Sequence, residues 1–163
     1  MIETIDIFNS TTNMLKALSI RIQAVDMDRP WGGFMVIEDE DANLFVDTFF
    51  PLIDKKELLG KISPKILLVA PNKKLSWQYH HHRSEIWKLI DGEAGIIRSF
   101  TDQESPLSTL LLNEVITLQQ GERHRLVGLN KWGIVAEIWL HTNPNKPSDE
   151  NDIVRIQDDF GRK

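Results

Sequence analysis

The chain has 163 residues, 41% of them hydrophobic, a formal net charge of −5 and no cysteine. That length suits a single domain with its own core. The missing cysteines exclude disulfides, thiolate metal sites, Fe–S clusters and cysteine nucleophiles, and the mildly acidic balance argues against a basic face for nucleic acid.

The N-terminus, MIETIDIFNS, is acidic at Glu3 and lacks the basic and apolar regions of a signal peptide. The longest aliphatic run, 66–70, falls far short of the ~20 residues of a membrane span. A cytoplasmic protein with neither a membrane nor a nucleic-acid partner is expected. Residues 9–20 start with cap-type residues and place Met14, Leu15, Leu18 and Ile20 at helical spacing, predicting a short helix. Residues 29–33 (RPWGG) read as a turn or arm, 34–37 as a short strand ending in the acidic loop 38–41, and 54–59 (DKKELL), closed by Gly60, as one or two helical turns. This divides the chain into an N-terminal arm, 1–28, and one domain, 29–163.

From position 65 the pattern changes to short strands: 65–70, 75–82, 85–90, 94–100, 109–112, 115–118, 124–127 and 133–141, with a polar loop at 101–108 and a final turn near 151–154. Asp91-Gly92, between two of them, is a hairpin signal. The predicted fold class is all-β, a small antiparallel barrel with short helical segments at the N-terminal end. Five tryptophans accompany a single tyrosine, and barrel core is their first reading, although several flank histidines.

Four of the five histidines fall in two segments, 78–85 (QYHHHRSE) and 121–124 (GERH). Alternation along 75–82 puts Gln78, His80 and His82 on one strand face. Glu85 can return to that face if the chain bends at Arg83-Ser84, and His124 enters from a later strand. Two imidazoles and a carboxylate suit a divalent Zn, Mn, Co, Ni or Fe, with a glutamine carbonyl as a neutral addition. Such an ion is a Lewis acid towards a hydroxyl or carbonyl oxygen. On spacing alone His80 could pair with Gln78 or with His82, and histidines of core or surface with no metal remain the plainer alternative. His81 is expected to face outward and His141 to close a strand. Glu137 lies inside the apolar run 134–140, where an unpaired carboxylate is costly. It is therefore paired, or functional with a raised pKa, and is the first candidate for a catalytic base, with His82 second. Arg83 leaves the ligand segment with a fixed charge suited to an anionic oxygen or a phosphate.

The order Gln78-x-His80, Glu85, Gly92 and Gly121-x-x-His124 resembles the two motifs of the cupin superfamily. More closely, Arg29-Pro30-Trp31-Gly32, Leu75-Ser76-Trp77-Gln78, the stretch from His80 to Trp87, Gly121-x-x-His124-Arg125-Leu126, and the tail Asp152-Ile153-Val154-Arg155 with Asp158-x-Phe160-Gly161-Arg162 are similar to the cupin domain of type II mannose-6-phosphate isomerases. In those proteins the domain commonly follows a mannose-1-phosphate guanylyltransferase domain. The resemblance implies one divalent metal, zinc first, on Gln78, His80, Glu85 and His124, which sets His82 aside as a ligand. It implies a sugar phosphate at Lys65, Trp31, Arg125 and Arg155, although Arg125 follows a ligand directly and alternation turns it away. It also implies a homodimer, and an isomerase interconverting mannose 6-phosphate and fructose 6-phosphate through an enediol; for that chemistry Arg83, Glu137 and His82 are the candidates the residues themselves offer. A non-catalytic cupin binding metal or sugar phosphate is the alternative, and an Fe(II) oxygenase a third.

The sequence departs from the family pattern in four places. Ile86 stands where a histidine is usual, and Gln119-Gln120 where a proline is. Residues 44–63 look like an insertion. The 28 residues before Arg29 contain no glycine, so a Gly-rich nucleotide loop and nucleotidyl transfer are not expected of this sequence.

Overall fold

The run KILLV at 65–69 has no polar alternation, and the architecture shows why. The computed structural model describes residues 3–58, 60–159 and 161. In it the elements run α1 (Thr4–Ala17), β1 (Ile22–Arg29), β2 (Gly32–Ile37), a 3₁₀ turn (Asp39–Asp41), α2 (Ala42–Phe49), a second 3₁₀ turn (Lys55–Glu57), β3 (Lys65–Val69), β4 (Trp77–Tyr79), β5 (Arg83–Ser99), β6 (Ser108–Thr109), β7 (Val115–Leu118), β8 (Arg123–His141) and β9 (Val154–Gln157). The strands follow the order β1-β2-β3-β8-β4-β9, and β5 lies against β6, β7 and β8, every pairing antiparallel. The fold is mostly β with few helices, as the strand spacing predicts. Among the described residues no helix is long and apolar enough to cross a membrane.

Two apolar layers lie on opposite faces of the central strands. Leu67 and Val69 of β3, Trp87 and Leu89 of β5, and Val135 of β8 face inward, with Trp31, Leu75 and Leu126. Ile66 and Leu68, Ile86, and Ile134, Ala136 and Ile138 face outward, against Ile7, Phe8 and Leu15 of α1 and Phe45, Phe49 and Phe50 of α2. Strands covered on both faces lose the alternation of a half-solvated sheet. Each phenylalanine of the outer layer contributes about 1.5–3 kcal/mol by its burial. The apparent insertion is thus the cover of the outer face, and Lys88 Nζ donates to the Phe49 carbonyl at its end.

Several expectations are corrected. Helix α1 begins at Thr4 rather than residue 9, because the hydroxyls read as caps turn back on the helix. Ser10 and Thr11 both donate to the Ile7 carbonyl, at 3.1 and 2.7 Å. Residues 22–29 form β1, paired with β2, so the end of the segment before Arg29 joins the sheet. Helix α2 is an addition. Asp91-Gly92 is not a hairpin: β5 runs through it, pairing with β8 on both sides, from Arg83↔His141 to Ser99↔Arg123, with register shifts around Asp91 and Gly92. Gly92 has φ +75°, and a Cβ there would lie 1.8 Å from the Trp132 carbonyl oxygen. The two segments read at 124–127 and 133–141 are likewise one strand, β8. The expected strand 75–82 is only Trp77–Tyr79, the strand read at 109–112 is only Ser108–Thr109, and the tail read as a turn continues into β9. Leu59 of the expected turn, and Phe160 and Arg162 of the tail motif, lie outside the described residues.

Candidate functional site

Three elements converge on a buried cluster of His80, Glu85 and His124, whose ligand atoms all lie within 4.8 Å of one another. His80 stands on the bend after β4, Glu85 on β5 and His124 on β8, directly across from Gln78 of β4. His80 Nδ1 donates to the Asp152 carbonyl at 2.6 Å, and His124 Nδ1 to the Glu122 carbonyl at 2.9 Å. A carbonyl can only accept, so both rings carry their proton on Nδ1 and turn Nε2 to the carboxylate. His80 Nε2 is 3.0 Å from Glu85 Oε1, and His124 Nε2 is 3.6 Å from Oε2.

The electrostatics fit a cation at this point. His124 Nε2 is buried with no hydrogen-bond partner. Burial above all pushes the His124 pKa down to about 4, so the ring is neutral at pH 7 and presents a lone pair to a carboxylate oxygen. Burial works against the charge of Glu85, yet His80 and Arg83 beside it hold the carboxyl well below the usual range. Two Nδ1-anchored imidazoles and an ionised carboxylate are the donor set of a divalent-metal site, the backbone carbonyls fixing ring orientation. Gln78 borders the same space, and its Oε1 accepts from the Ser76 hydroxyl at 2.5 Å.

Above the cluster lies a cavity of about 150 Å³, bordered by Trp31, Lys65, Gln78, Arg83, Glu137 and Arg155 among others. Lys65 and Glu137 are cross-strand partners on β3 and β8. Glu137 accepts from Trp87 Nε1 at 2.8 Å and Trp139 Nε1 at 3.3 Å. Burial first, then repulsion from Glu85, pushes its pKa up to about 8. The Trp87 N–H also reaches Glu85 Oε2 at 3.1 Å, tying the two carboxylates together. Lys65 Nζ lies 4.2 Å from the Trp139 ring centroid and pairs with Glu150 Oε1 at 2.5 Å. Arg83 also lies over the Trp139 ring, 3.7 Å from its centroid, and donates through Nε to Glu85 Oε1 at 2.9 Å.

Two expected residues stand elsewhere. His82 is half-buried and borders neither the cluster nor the cavity, because the chain leaves the strand at Tyr79 and alternation ends there. Arg125 points away, donating through Nε to the Leu75 carbonyl at 2.9 Å and through Nη1 to Glu104 at 2.6 Å, an anchor for the 101–104 loop. Ile86 packs in the outer layer, on the face of β5 opposite Glu85. A histidine there would not reach the cavity by strand alternation. His141 accepts from the Ser148 amide and bonds the Lys61 carbonyl, a structural role. Trp87, Trp139, Glu150 and Asp152 belong to the site without having been singled out for a role. Trp87 and Asp152 lie in the motifs quoted above, but only tertiary structure brings Glu150 to Lys65.

The xanthan biosynthesis protein XanB of Xanthomonas campestris pv. campestris is 27% identical over 134 residues, covering 82% of this chain and 23% of that protein. The alginate biosynthesis protein AlgA of Pseudomonas aeruginosa is 28% identical over 134 residues, 82% of this chain and 22% of that protein. A mannose-1-phosphate guanylyltransferase of Escherichia coli is 27% identical, over 82% and 22%. The chain therefore spans less than a quarter of the length of these curated relatives. Among solved structures, the capsular polysaccharide assembling protein CapF of Staphylococcus aureus superposes with TM-score 0.54 at 12% identity, over 85% of this chain and 34% of that one, a likeness of fold. Residues 52–158, which include His80, Glu85 and His124, match the family described as mannose-6-phosphate isomerase C-terminal, and the chain belongs to that family of cupins.

Proposed function

We propose that the chain is a metal-dependent aldose–ketose isomerase of sugar phosphates, with mannose 6-phosphate and fructose 6-phosphate as the first substrate pair. The observation that carries the reading is the juxtaposition of the His80, Glu85 and His124 cluster with Glu137, whose pKa of about 8 lies near neutrality. A divalent ion on these three residues, with Gln78 as a fourth donor, would supply Lewis-acid polarisation of a substrate hydroxyl or carbonyl oxygen.

Isomerisation moves a proton between C1 and C2 through an enediol. A carboxyl group with a pKa near the working pH exchanges protons well in either direction, and in this reading Glu137 takes the proton from one carbon and returns it to the other. The two indole N–H groups fix its oxygens. Arg83, locked against Glu85 and Trp139, offers a charge that needs no reorganisation as the oxyanion develops. Lys65, with Arg155 also bordering the cavity, is the phosphate contact, and Trp31 lines the same space.

A second reading, a binding cupin without turnover, is favoured by one observation: Lys65 is already neutralised by Glu150. The test is turnover of mannose 6-phosphate by metal-stripped protein with Zn, Mn, Co, Ni or Fe(II) added back singly. Activity that returns with metal and is absent in His124→Ala supports the isomerase. Stoichiometric metal binding with no turnover under any metal overturns it and leaves the binding role.

A further inference from the structure

The bend that carries His80, His81 and His82 leaves β4 without a strand to receive its amides. Asp152, from the segment between β8 and β9, receives them instead. Its Oδ1 accepts from the His81 N–H at 2.8 Å and its Oδ2 from the His82 N–H at 2.9 Å. The Ser148 hydroxyl donates to Oδ2 at 2.6 Å. The backbone carbonyl of the same residue accepts from His80 Nδ1. Ser148 in turn takes a hydrogen bond from Arg83 Nη1 at 2.8 Å, and the Asp149 carbonyl accepts from the same nitrogen at 3.1 Å.

We propose that Asp152 is a positioning residue of the metal centre: its carboxylate clamps the backbone of the histidine bend while its carbonyl fixes the ring and tautomer of His80. Both constraints on His80 thus come from one residue. If the bend pivots, the ring moves with it, and Nε2 leaves its place 3.0 Å from Glu85 Oε1. The role calls for an aspartate. Three donors converge on two oxygens, whereas an asparagine offers one oxygen and turns an NH₂ group towards an N–H. The inference rests on reading His80, Glu85 and His124 as a metal site, and needs no assumption about the substrate.

The experiment uses the metal-free protein with Asp152→Asn and Ser148→Ala, the second removing one donor to the carboxylate, and the acceptor of Arg83 Nη1 with it, while leaving the residues of the bend unchanged. Zinc affinity is measured by competition with a chromophoric chelator, and ligand geometry by the visible spectrum of the Co(II) form. Asp152→Asn is expected to weaken zinc about ten- to a hundred-fold and to shift the Co(II) bands, with a smaller loss in Ser148→Ala. A merely structural role would lower the melting temperature and leave both readouts as they are. If wild type binds metal and the variants match its affinity and spectrum, the proposal is overturned. If Asp152→Asn does not fold, the Ser148→Ala comparison decides alone. Wild type that binds no zinc overturns the metal-centre reading, and the role of Asp152 with it.

Discussion

Glu137 is a buried carboxyl whose proton is held more tightly in the folded protein than in the unfolded chain, and that difference can be read as stability. Its pKa is pushed from the ordinary 4.5 to about 8, by burial first and by Glu85 second. The native state therefore binds more protons than the unfolded state between those values, and stability falls as pH rises through them. His124 works in the opposite sense. Its pKa is lowered from 6.5 to about 4, so its contribution rises between pH 4 and 6.5 and is complete above that. Glu85, held low, is ionised in both states above pH 6.5 and adds no slope there. From pH 6.5 to 8 Glu137 is left as the titrating member of the cluster's carboxyls, and linkage gives a loss of about 1.5 kcal/mol. For a chain of this length that is a fall of roughly 3–6 °C in melting temperature. The assay is thermal unfolding of metal-free protein, followed by circular dichroism at several pH values across the window. Glu137→Gln, which keeps an oxygen for one of the two indole N–H groups but cannot ionise, is expected to flatten the slope. A variant that melts with the wild-type pH dependence, or a wild type with no slope, would refute the assignment.

Two further outcomes are expected. Glu150→Gln removes the exposed carboxylate that neutralises buried Lys65, and inorganic phosphate is expected to bind about two- to five-fold more tightly by calorimetry, the scale of one partly exposed ion pair. Equal affinity in the two proteins would mean that Lys65 does not meet the anion. Gly92→Ala places a methyl group against the Trp132 carbonyl at positive φ and is expected to cost about 2–3 kcal/mol in urea unfolding; a change below about 0.5 kcal/mol would show that β5 does not run through this point as described.

The strands and the cluster of His80, Glu85 and His124 were legible because their signals are local. Apolar runs bounded by glycine and asparagine mark β3, β5, β7 and β8, and His80, Glu85 and His124 sit at spacings that one bend and one later strand can bring together. What was not legible depends on distant partners. Asp91-Gly92 has the chemistry of a turn, but both flanks of β5 pair with the same long strand, and that pairing overrides the dipeptide. β1, rich in aspartate and exposed along most of its length, has no strand composition and exists through its pairing with β2. His82 was placed by an alternation that ended at Tyr79, and beyond it Asp152 captures the amides of His81 and His82. Glu137 announced itself by being a carboxylate in an apolar run; its indole partners could be known only from the fold.

Strand β8 presents His124 and Glu137 to the inside and Ile134, Ala136 and Ile138 to the outside. A slip of one residue would reverse every one of them. Glu137 would enter the apolar layer under α2, and an isoleucine would take its place beside Lys65. In a sheet with one wet face such a slip exposes some apolar surface; here it would bury an ion on one side and strand a cation on the other. The helical cover on the outer face thereby serves as a proofreader of alignment: the energy that excludes the misthreaded strand is the same energy that brings the two chemical groups to the cavity together.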